Sequence, residues 1–213
     1  AEADGERVNR ALLIGVDDFV SRQSVYPSST NNVFAMQEAL QASRYPFGAI
    51  VIPASPVTGV EELCELIGET FGAADGDDVS YLYISTHGEY DPANGVDAAL
   101  LLSDGQAEER LTPQALQDAF AGIAGTKVLL LDACYSGAFI GKGMSVQPET
   151  VYFQSDDFKV LTSSGAMEES WYWSAAADAD TTETEEDRQG AFYFTQMMSQ
   201  ILNPRYGSTA DAN

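Results

Sequence analysis

The stretch Lys127-Val-Leu-Leu-Leu-Asp-Ala-Cys-Tyr-Ser-Gly137 decides how this chain folds. Val128 to Leu131 is an unbroken apolar run, the pattern of a strand buried on both faces. The run ends at Asp132, and Cys134, Ser136 and Gly137 break it into a loop. Ligands of open α/β sheets collect outside the carboxyl ends of the strands. Cys134 is therefore well placed to act as a nucleophile.

Outward from this strand the chain alternates between apolar runs and helical patterns. Arg10 to Val16 reads as a strand, with a loop through Pro27. Ser29-Thr30-Asn31-Asn32 offers helix caps for an amphipathic run to about Ser43, with Val33, Met36 and Leu40 on one face. Ala49 to Pro53 is a second strand and Val60 to Phe71 a second helix. Cys64 shares that helix's apolar stripe with Val60, Leu63 and Ile67, so it is read as packing. Val79 to Ile84 is a third strand, ending in Ser85-Thr86-His87-Gly88. A loop and a short strand at Ala98 to Leu102 follow. Thr112-Pro113 opens a helix to about Ile123, with proline at its first position. Phe158 to Thr162 reads as a fifth buried strand before Ser163-Ser164-Gly165. Gly190 to Thr195 leads into Gln196 to Leu202, a short strand or helix entry. The pattern predicts a mostly parallel, three-layered α/β sheet. The loops at 138–157 and 174–190 are long for a compact domain, which marks functional or disordered segments.

Composition narrows the function. Ten basic residues against 33 acidic ones give a formal net charge of −23. That argues against nucleic acid, whose phosphates need Lys and Arg, and against anionic membrane surfaces. It favours basic ligands. No apolar stretch is long enough to cross a membrane. Two cysteines, each with its own explanation, do not make a disulfide framework. The arm at 1–9 and the tail at 204–213 read as cut ends around a domain at 10–203. With the acidity, those ends give the expectation of an extracellular or cell-envelope location.

His87 is the sole histidine. Taken singly, a histidine or a cysteine at a strand end is more often packing than chemistry. Jointly, each at the end of a buried strand with small residues after it, the two suggest a thiol and its base. Glycine after His87 would let the Gly88 N–H approach an oxyanion, with the Cys134 N–H as second donor.

Ser85-Thr-His87-Gly88 followed by Asp132-Ala-Cys134-Tyr-Ser136-Gly137 resembles the caspase-fold cysteine peptidases: caspases, metacaspases, legumains, clostripain-like enzymes and gingipains. The likeness runs from about Arg10 to about Leu202 and is nearest to bacterial metacaspase-like and clostripain-like members. The Gln-Ala-Cys-Arg-Gly signature of animal caspases is absent, which points away from cleavage after Asp. The resemblance implies a three-layer caspase-like fold with a mostly parallel six-stranded sheet. It implies a thioester mechanism with a Cys134–His87 dyad and no required third member. It implies a pocket for a basic P1 side chain lined by Asp132 and Ser85, where a carboxylate would meet Arg or Lys. Asn32 departs from the family's second pocket aspartate, beside Asn31. Glu168 and Glu169 could restore acidity, although a solvated face is their default. Leu161 to Gly165 resembles the substrate-binding strand, so Ser163, Ser164 and Gly165 would offer backbone groups to an extended peptide. Of Trp171, Tyr172 and Trp173 at least one should be exposed, with Trp171 a candidate wall for P2–P4 side chains.

Metacaspases often need calcium. Asp91, Asp97, Asp104 and the acidic 174–190 loop are candidates for it, but no spacing matches an EF-hand. No cofactor is required by this reading, and solvated acids are the default. Self-cleavage in the loop after the cysteine would suit Lys142. That loop also contains Glu149-Thr-Val-Tyr-Phe-Gln-Ser155, which fits the Glu-x-x-Tyr-x-Gln-Ser pattern of a plant-virus protease. The alternatives are an Asn-directed legumain-like peptidase, because Glu169-Ser170 resembles a legumain Glu-Ser pair, and an inactive scaffold that binds partners. Peptide or protein substrates are expected in the leading reading; oligomeric state is left open.

Overall fold

The computed structural model describes residues 5–144, 150–174 and 190–202. In chain order the strands are β1 (Asn9–Gly15), β2 (Phe47–Val51), β3 (Val79–Ser85), β4 (Gly88–Asp91), β5 (Val96–Ser103), β6 (Glu108–Leu111), β7 (Thr126–Asp132), β8 (Phe158–Thr162), β9 (Tyr172–Ser174) and β10 (Gly190–Phe192). The α-helices are α1 (Ser28–Gln41), α2 (Val60–Phe71), α3 (Pro113–Ala119) and α4 (Tyr193–Leu202). A five-stranded parallel sheet in the order β2-β1-β3-β7-β8 forms the centre.

The apolar runs are buried on both faces because side chains alternate along a strand. Ala11, Leu13, Tyr83 and Leu130 pack with Val33, Met36 and Leu40 of α1. Leu12, Ile14, Leu82, Ile84, Leu129 and Leu131 pack on the other side with Leu63 and Ile67 of α2 and Leu116 of α3. This is the three-layer arrangement expected from the sequence, and α2 has the anticipated bounds. Thr112 caps α3, its Oγ accepting from the Ala115 N–H at 3.2 Å, with Pro113 in the first turn. Cys64 is only partly buried, and both cysteines are free thiols.

Several expectations are corrected. The central sheet has five strands, not six. Gly190–Phe192 pairs antiparallel with Tyr172–Ser174 in a separate ribbon, and the chain then turns into α4 rather than joining the sheet edge. Consequently β8 is an edge strand. Its residues alternate between half-buried and exposed, so it is not a fully buried strand. The segment after His87 is a three-stranded antiparallel sheet, β4-β5-β6, rather than a loop with one short strand. Ser29 to Asn32 do not cap α1 through their own side chains. Asp17, beyond the end of β1, does so by accepting the N–H groups of Ser29 at 2.8 Å and Thr30 at 2.9 Å. Part of the 138–157 loop is core: Phe153 is buried against Phe158, ring centroids 5.2 Å apart. Residues 145–149 and the acidic segment 175–189 lie outside the described residues.

Candidate active site

The parallel register fixes the site. Ser85 on β3 stands opposite both Gly15 on β1 and Asp132 on β7. His87 and Cys134 each lie two residues further along neighbouring strands, so they leave the sheet at the same edge. The ladder extends past the strands, with the Thr86 N–H donating to the Asp132 carbonyl at 3.2 Å. Thr86 Oγ donates to the Leu101 carbonyl at 2.6 Å, and the Leu101 N–H to the His87 carbonyl at 3.0 Å, which ties the histidine to β5. A Cβ on Gly88 would sit 1.9 Å from the Cys134 carbonyl oxygen. Glycine therefore permits the His87-Gly88 backbone to lie directly against the cysteine.

His87 Nε2 is 3.1 Å from the Gln23 carbonyl oxygen, and its ring packs on Phe19 with centroids 4.5 Å apart. A carbonyl only accepts, so Nε2 carries the proton and Nδ1 keeps its lone pair in the neutral ring. Burial pushes the imidazole below its usual range; the Gln23 carbonyl opposes this and the Arg22 charge adds to it. Sequence reasoning nominated no orienting group. The orienter is a main-chain carbonyl, which any residue type supplies and no motif betrays.

Cys134 lies half-buried at the start of a tight loop. The next residue, Tyr135, has φ 58°, a left-handed conformation that is strained for a side chain of this size. Serines hold the loop. Ser163 Oγ accepts from the Ala133 N–H at 3.1 Å, and Ser164 Oγ accepts from the Ser136 N–H at 3.2 Å and donates to the Ala133 carbonyl at 3.0 Å. Gly137 lets this turn approach Gly165 and Ala166, where a Cβ would meet backbone at 2.7 Å. Burial raises the Cys134 thiol; the Ser170 N–H opposes this, while Glu169 and Asp132 add to it. The Ser170 N–H donates to Sγ at 3.3 Å, and Sγ–H donates to the Ser170 carbonyl at 3.5 Å.

Asp132 is fully buried. Its Oδ2 accepts from the Thr195 N–H at 3.2 Å and Thr195 Oγ at 2.6 Å; its Oδ1 accepts from Ser170 Oγ at 3.2 Å. Burial raises its carboxyl, and these donors together with Ser163 oppose the rise. Thr195 lies in the first turn of α4, so the carboxylate also caps that helix. Thr195 was not foreseen as a site residue, and its only signal was a polar residue in an aromatic-rich run. Tyr83 Oη also bonds Thr195 Oγ. Ser85 is buried, donating to Ser29 Oγ at 3.2 Å and accepting from Asn32 Nδ2 at 3.0 Å. Asn32 Oδ1 accepts from the Phe192 N–H at 3.0 Å, and Asn31 Nδ2 donates to the Gly190 carbonyl at 2.9 Å. The Asn31-Asn32 pair thus fastens β10 to α1.

The other candidates are distributed around this edge. The N–H groups of Ser163, Ser164 and Gly165 donate within the chain, to the Leu131 carbonyl at 3.0 Å, Ser136 Oγ at 3.3 Å and Glu168 Oε2 at 2.9 Å. Glu168 is accordingly engaged by Gly165, while Glu169 accepts from Tyr135 Oη at 3.5 Å. Trp171 is 70% exposed. Lys142 lies in an exposed turn, its carbonyl accepting from the Ala166 N–H at 2.8 Å. Of the candidate calcium ligands, the acids of 175–189 lie outside the described residues. Asp91 accepts from Asn94 at 2.7 Å, Asp104 accepts from the Gln106 and Ala107 N–H groups at 2.8 Å, and the Asp97 carbonyl accepts from Arg110 at 2.7 Å. Among the described residues, no three His, Cys, Asp or Glu side chains gather as metal ligands.

A solved structure of the protein GSU0716 from Geobacter sulfurreducens is similar at 19% identity and a TM-score of 0.47, over 61% of this chain and 51% of that one. The chain thus spans about half the length of that protein. No curated protein sequence matches. The caspase-domain model (peptidase C14) matches residues 8–210, nearly the whole length. The parallel sheet that carries His87-Gly88 and Cys134 to one edge is that of a caspase domain, and this chain belongs to the caspase-domain family of cysteine peptidases.

Proposed function

We propose that the protein is a cysteine endopeptidase that cuts after Arg or Lys, with Cys134 as nucleophile and His87 as its base. The Cys134 thiol proton passes to His87 Nδ1 as sulfur attacks the scissile carbonyl. The oxyanion meets the N–H groups of Gly88 and Cys134, the C–N bond breaks, and the imidazolium returns the proton to the departing amine. Water then hydrolyses the thioester. The Nε2–Gln23 contact supports this assignment of Nδ1.

One observation carries the specificity reading. Asp132 is buried at the catalytic edge, yet the groups bonded to it there are all neutral: Thr195, Ser170 and Ser163. A buried carboxylate held by neutral donors alone is costly, and a cation relieves that cost. A P1 ammonium or guanidinium supplies the cation. Ser85, in register with Asp132, lines the same end of the sheet. Lys142, exposed in its turn, is the proposed self-cleavage site.

The test is a fluorogenic peptide panel varied at P1, with and without calcium, beside Cys134→Ala and Asp132→Ala. Cleavage after Arg or Lys is expected, abolished by Cys134→Ala. Asp132→Ala should lower kcat/KM for these substrates by about 100-fold, the scale of a lost charge-assisted contact. Intact mass should show the cut after Lys142 in the parent but not in Cys134→Ala. Cleavage after Asn alone would install the legumain-like reading, for which Glu169-Ser170 beside Asp132 is the motivating observation. No cleavage and no covalent labelling of Cys134 would leave a scaffold.

A further inference from the structure

Ser170 makes an unusual pair of contacts. Its two main-chain polar groups both lie on the Cys134 sulfur, the N–H at 3.3 Å and the carbonyl oxygen at 3.5 Å. Its side-chain hydroxyl donates to Asp132 Oδ1 at 3.2 Å. A substrate's P1 residue must do the same two things: present its backbone to the nucleophile and its side chain to the pocket carboxylate. We infer that Ser170 is an internal occupant of the P1 position, which holds the peptidase latent and sets the threshold that a substrate side chain must exceed. The inference rests on reading Cys134 as nucleophile and Asp132 as the P1 carboxylate.

The occupant is inhibitory because it uses both functions of the thiol. The sulfur lone pair accepts the Ser170 N–H, and the S–H proton is donated to the Ser170 carbonyl rather than to His87. The segment is held from both sides. Upstream, the Tyr135 N–H donates to the Glu168 carbonyl at 2.8 Å, and Glu168 Oε2 accepts from the Gly165 N–H at 2.9 Å. Downstream, the Tyr193 N–H donates to the Trp171 carbonyl at 3.1 Å, and Tyr172 pairs with Phe192. Asn32 in turn fixes Phe192.

The occupant is also weak by construction. A neutral hydroxyl on a carboxylate is outmatched by an ammonium or guanidinium, which adds the attraction of a full opposite charge to the hydrogen bond. Asp132 Oδ2 already accepts two bonds from Thr195, so the incoming cation is directed to Oδ1, where Ser170 donates. A basic P1 side chain displaces Ser170 far more readily than a neutral one does. The same residue thus sharpens selectivity and suppresses idle reactivity of the thiol.

The test uses the full chain with two substitutions of opposite expected sign, Ser170→Ala and Ser170→Lys. One readout is the rate of Cys134 alkylation by iodoacetamide, measured by intact mass with Cys134→Ala as blank; this small neutral reagent needs no P1 pocket. The other is KM for matched P1-Lys, P1-Arg and P1-Asn peptides. Ser170→Ala should speed alkylation and lower KM for the basic peptides by about tenfold, the scale of one hydrogen bond to a charged group. Ser170→Lys, a tethered cation on Asp132, should slow alkylation and raise the same KM by at least that factor. A generic packing role would shift both variants in one direction. Equal alkylation rates in all three proteins overturn the inference even if peptides are cleaved. Faster alkylation in Ser170→Ala without cleavage of any peptide keeps the occupant and removes the peptidase reading instead.

Discussion

Replacing Gly88 by alanine tests whether the histidine and cysteine loops work as one unit. The added Cβ would lie 1.9 Å from the Cys134 carbonyl oxygen and 3.3 Å from the Ala133 Cβ. A carbon and a carbonyl oxygen do not approach closer than about 3.3 Å without cost, so the two backbones must separate by more than an ångström. Neither is free to yield. Gly88 is paired with Leu100 and flanked by the Leu101-to-His87 bond, while the Tyr135 N–H after the cysteine is fixed on Glu168. Overpacking of this kind costs about 1–3 kcal/mol of stability, which lowers Tm by roughly 2–12 °C in a chain of this size. Catalysis should fall much further. A displacement of about 1 Å at reacting groups costs about 100-fold, and the proposed oxyanion donors, the Gly88 and Cys134 N–H groups, would move apart. Expected, then, is a folded protein with kcat/KM reduced about 100-fold or more and KM little changed. The measurement is steady-state kinetics on a P1-Arg peptide beside thermal unfolding. A folded Gly88→Ala variant with parental kcat/KM would refute the placement of the His87-Gly88 backbone against the nucleophile.

Two further outcomes follow from named charges. The sole histidine gives one imidazole signal, so His87 can be titrated directly by NMR. Burial and the Arg22 charge hold it below the ordinary histidine value, while Glu89, paired with Arg22 at 2.6 Å, raises it. Arg22→Ala should therefore move the His87 titration and the acid limb of activity to higher pH; a downward or absent shift would remove Arg22 from the site's electrostatics. Burial pushes the Asp78 carboxyl up, but Arg10 at 2.7 Å and the N–H groups of Val8 and Asp75 outweigh it and hold it below its usual range. Because the folded value is the lower one, this stabilisation is full above the unfolded value of about 3.9 and is lost as pH falls through the folded value. Asp78→Asn should cost about 2–3 kcal/mol at neutral pH and should flatten the acid limb of a urea-unfolding series. An unchanged acid limb would contradict that linkage.

The strand ends were legible because the parallel core strands write themselves as apolar runs closed by polar residues. Val79–Ser85 and Thr126–Asp132 needed nothing more to bring His87 and Cys134 to one edge. Helix α2 was equally plain, since its apolar stripe is local. What escaped was set at a distance. The cap of α1 comes from Asp17, twelve residues before Ser29. The run Gly190 to Thr195 is rich in β-prone aromatics, yet the Asp132 carboxylate bonds the Thr195 N–H and the chain enters a helix at Tyr193. β4 and β6, Gly-Glu-Tyr-Asp and Glu-Glu-Arg-Leu, are short and polar and become strands only because β5 between them is apolar and buried. Main-chain roles, such as those of Gln23 and Ser170, have no letter in the sequence at all.

Asn32 shows how one side chain can look like a loss in the sequence and a requirement in the fold. Read by resemblance, it lacks the second pocket carboxylate. In the structure its amide works from both ends, donating to Ser85 Oγ and accepting from the Phe192 N–H. An aspartate could keep the Phe192 bond but has no proton to give Ser85. It would also put a second negative charge into a buried network that already holds Asp132, through Ser85 opposite it in register. Two like charges at such a site raise each other's pKa until one is neutral. With the amide, Ser85 has a neutral partner and Asp132 gains no second carboxylate through it, and on the proposed function a P1 cation balances Asp132. The amide also ties α1 to β10, and β10 pairs with the β9 strand that follows Ser170. Asn32 thus spares Ser85 a charged partner and braces the segment that carries Ser170.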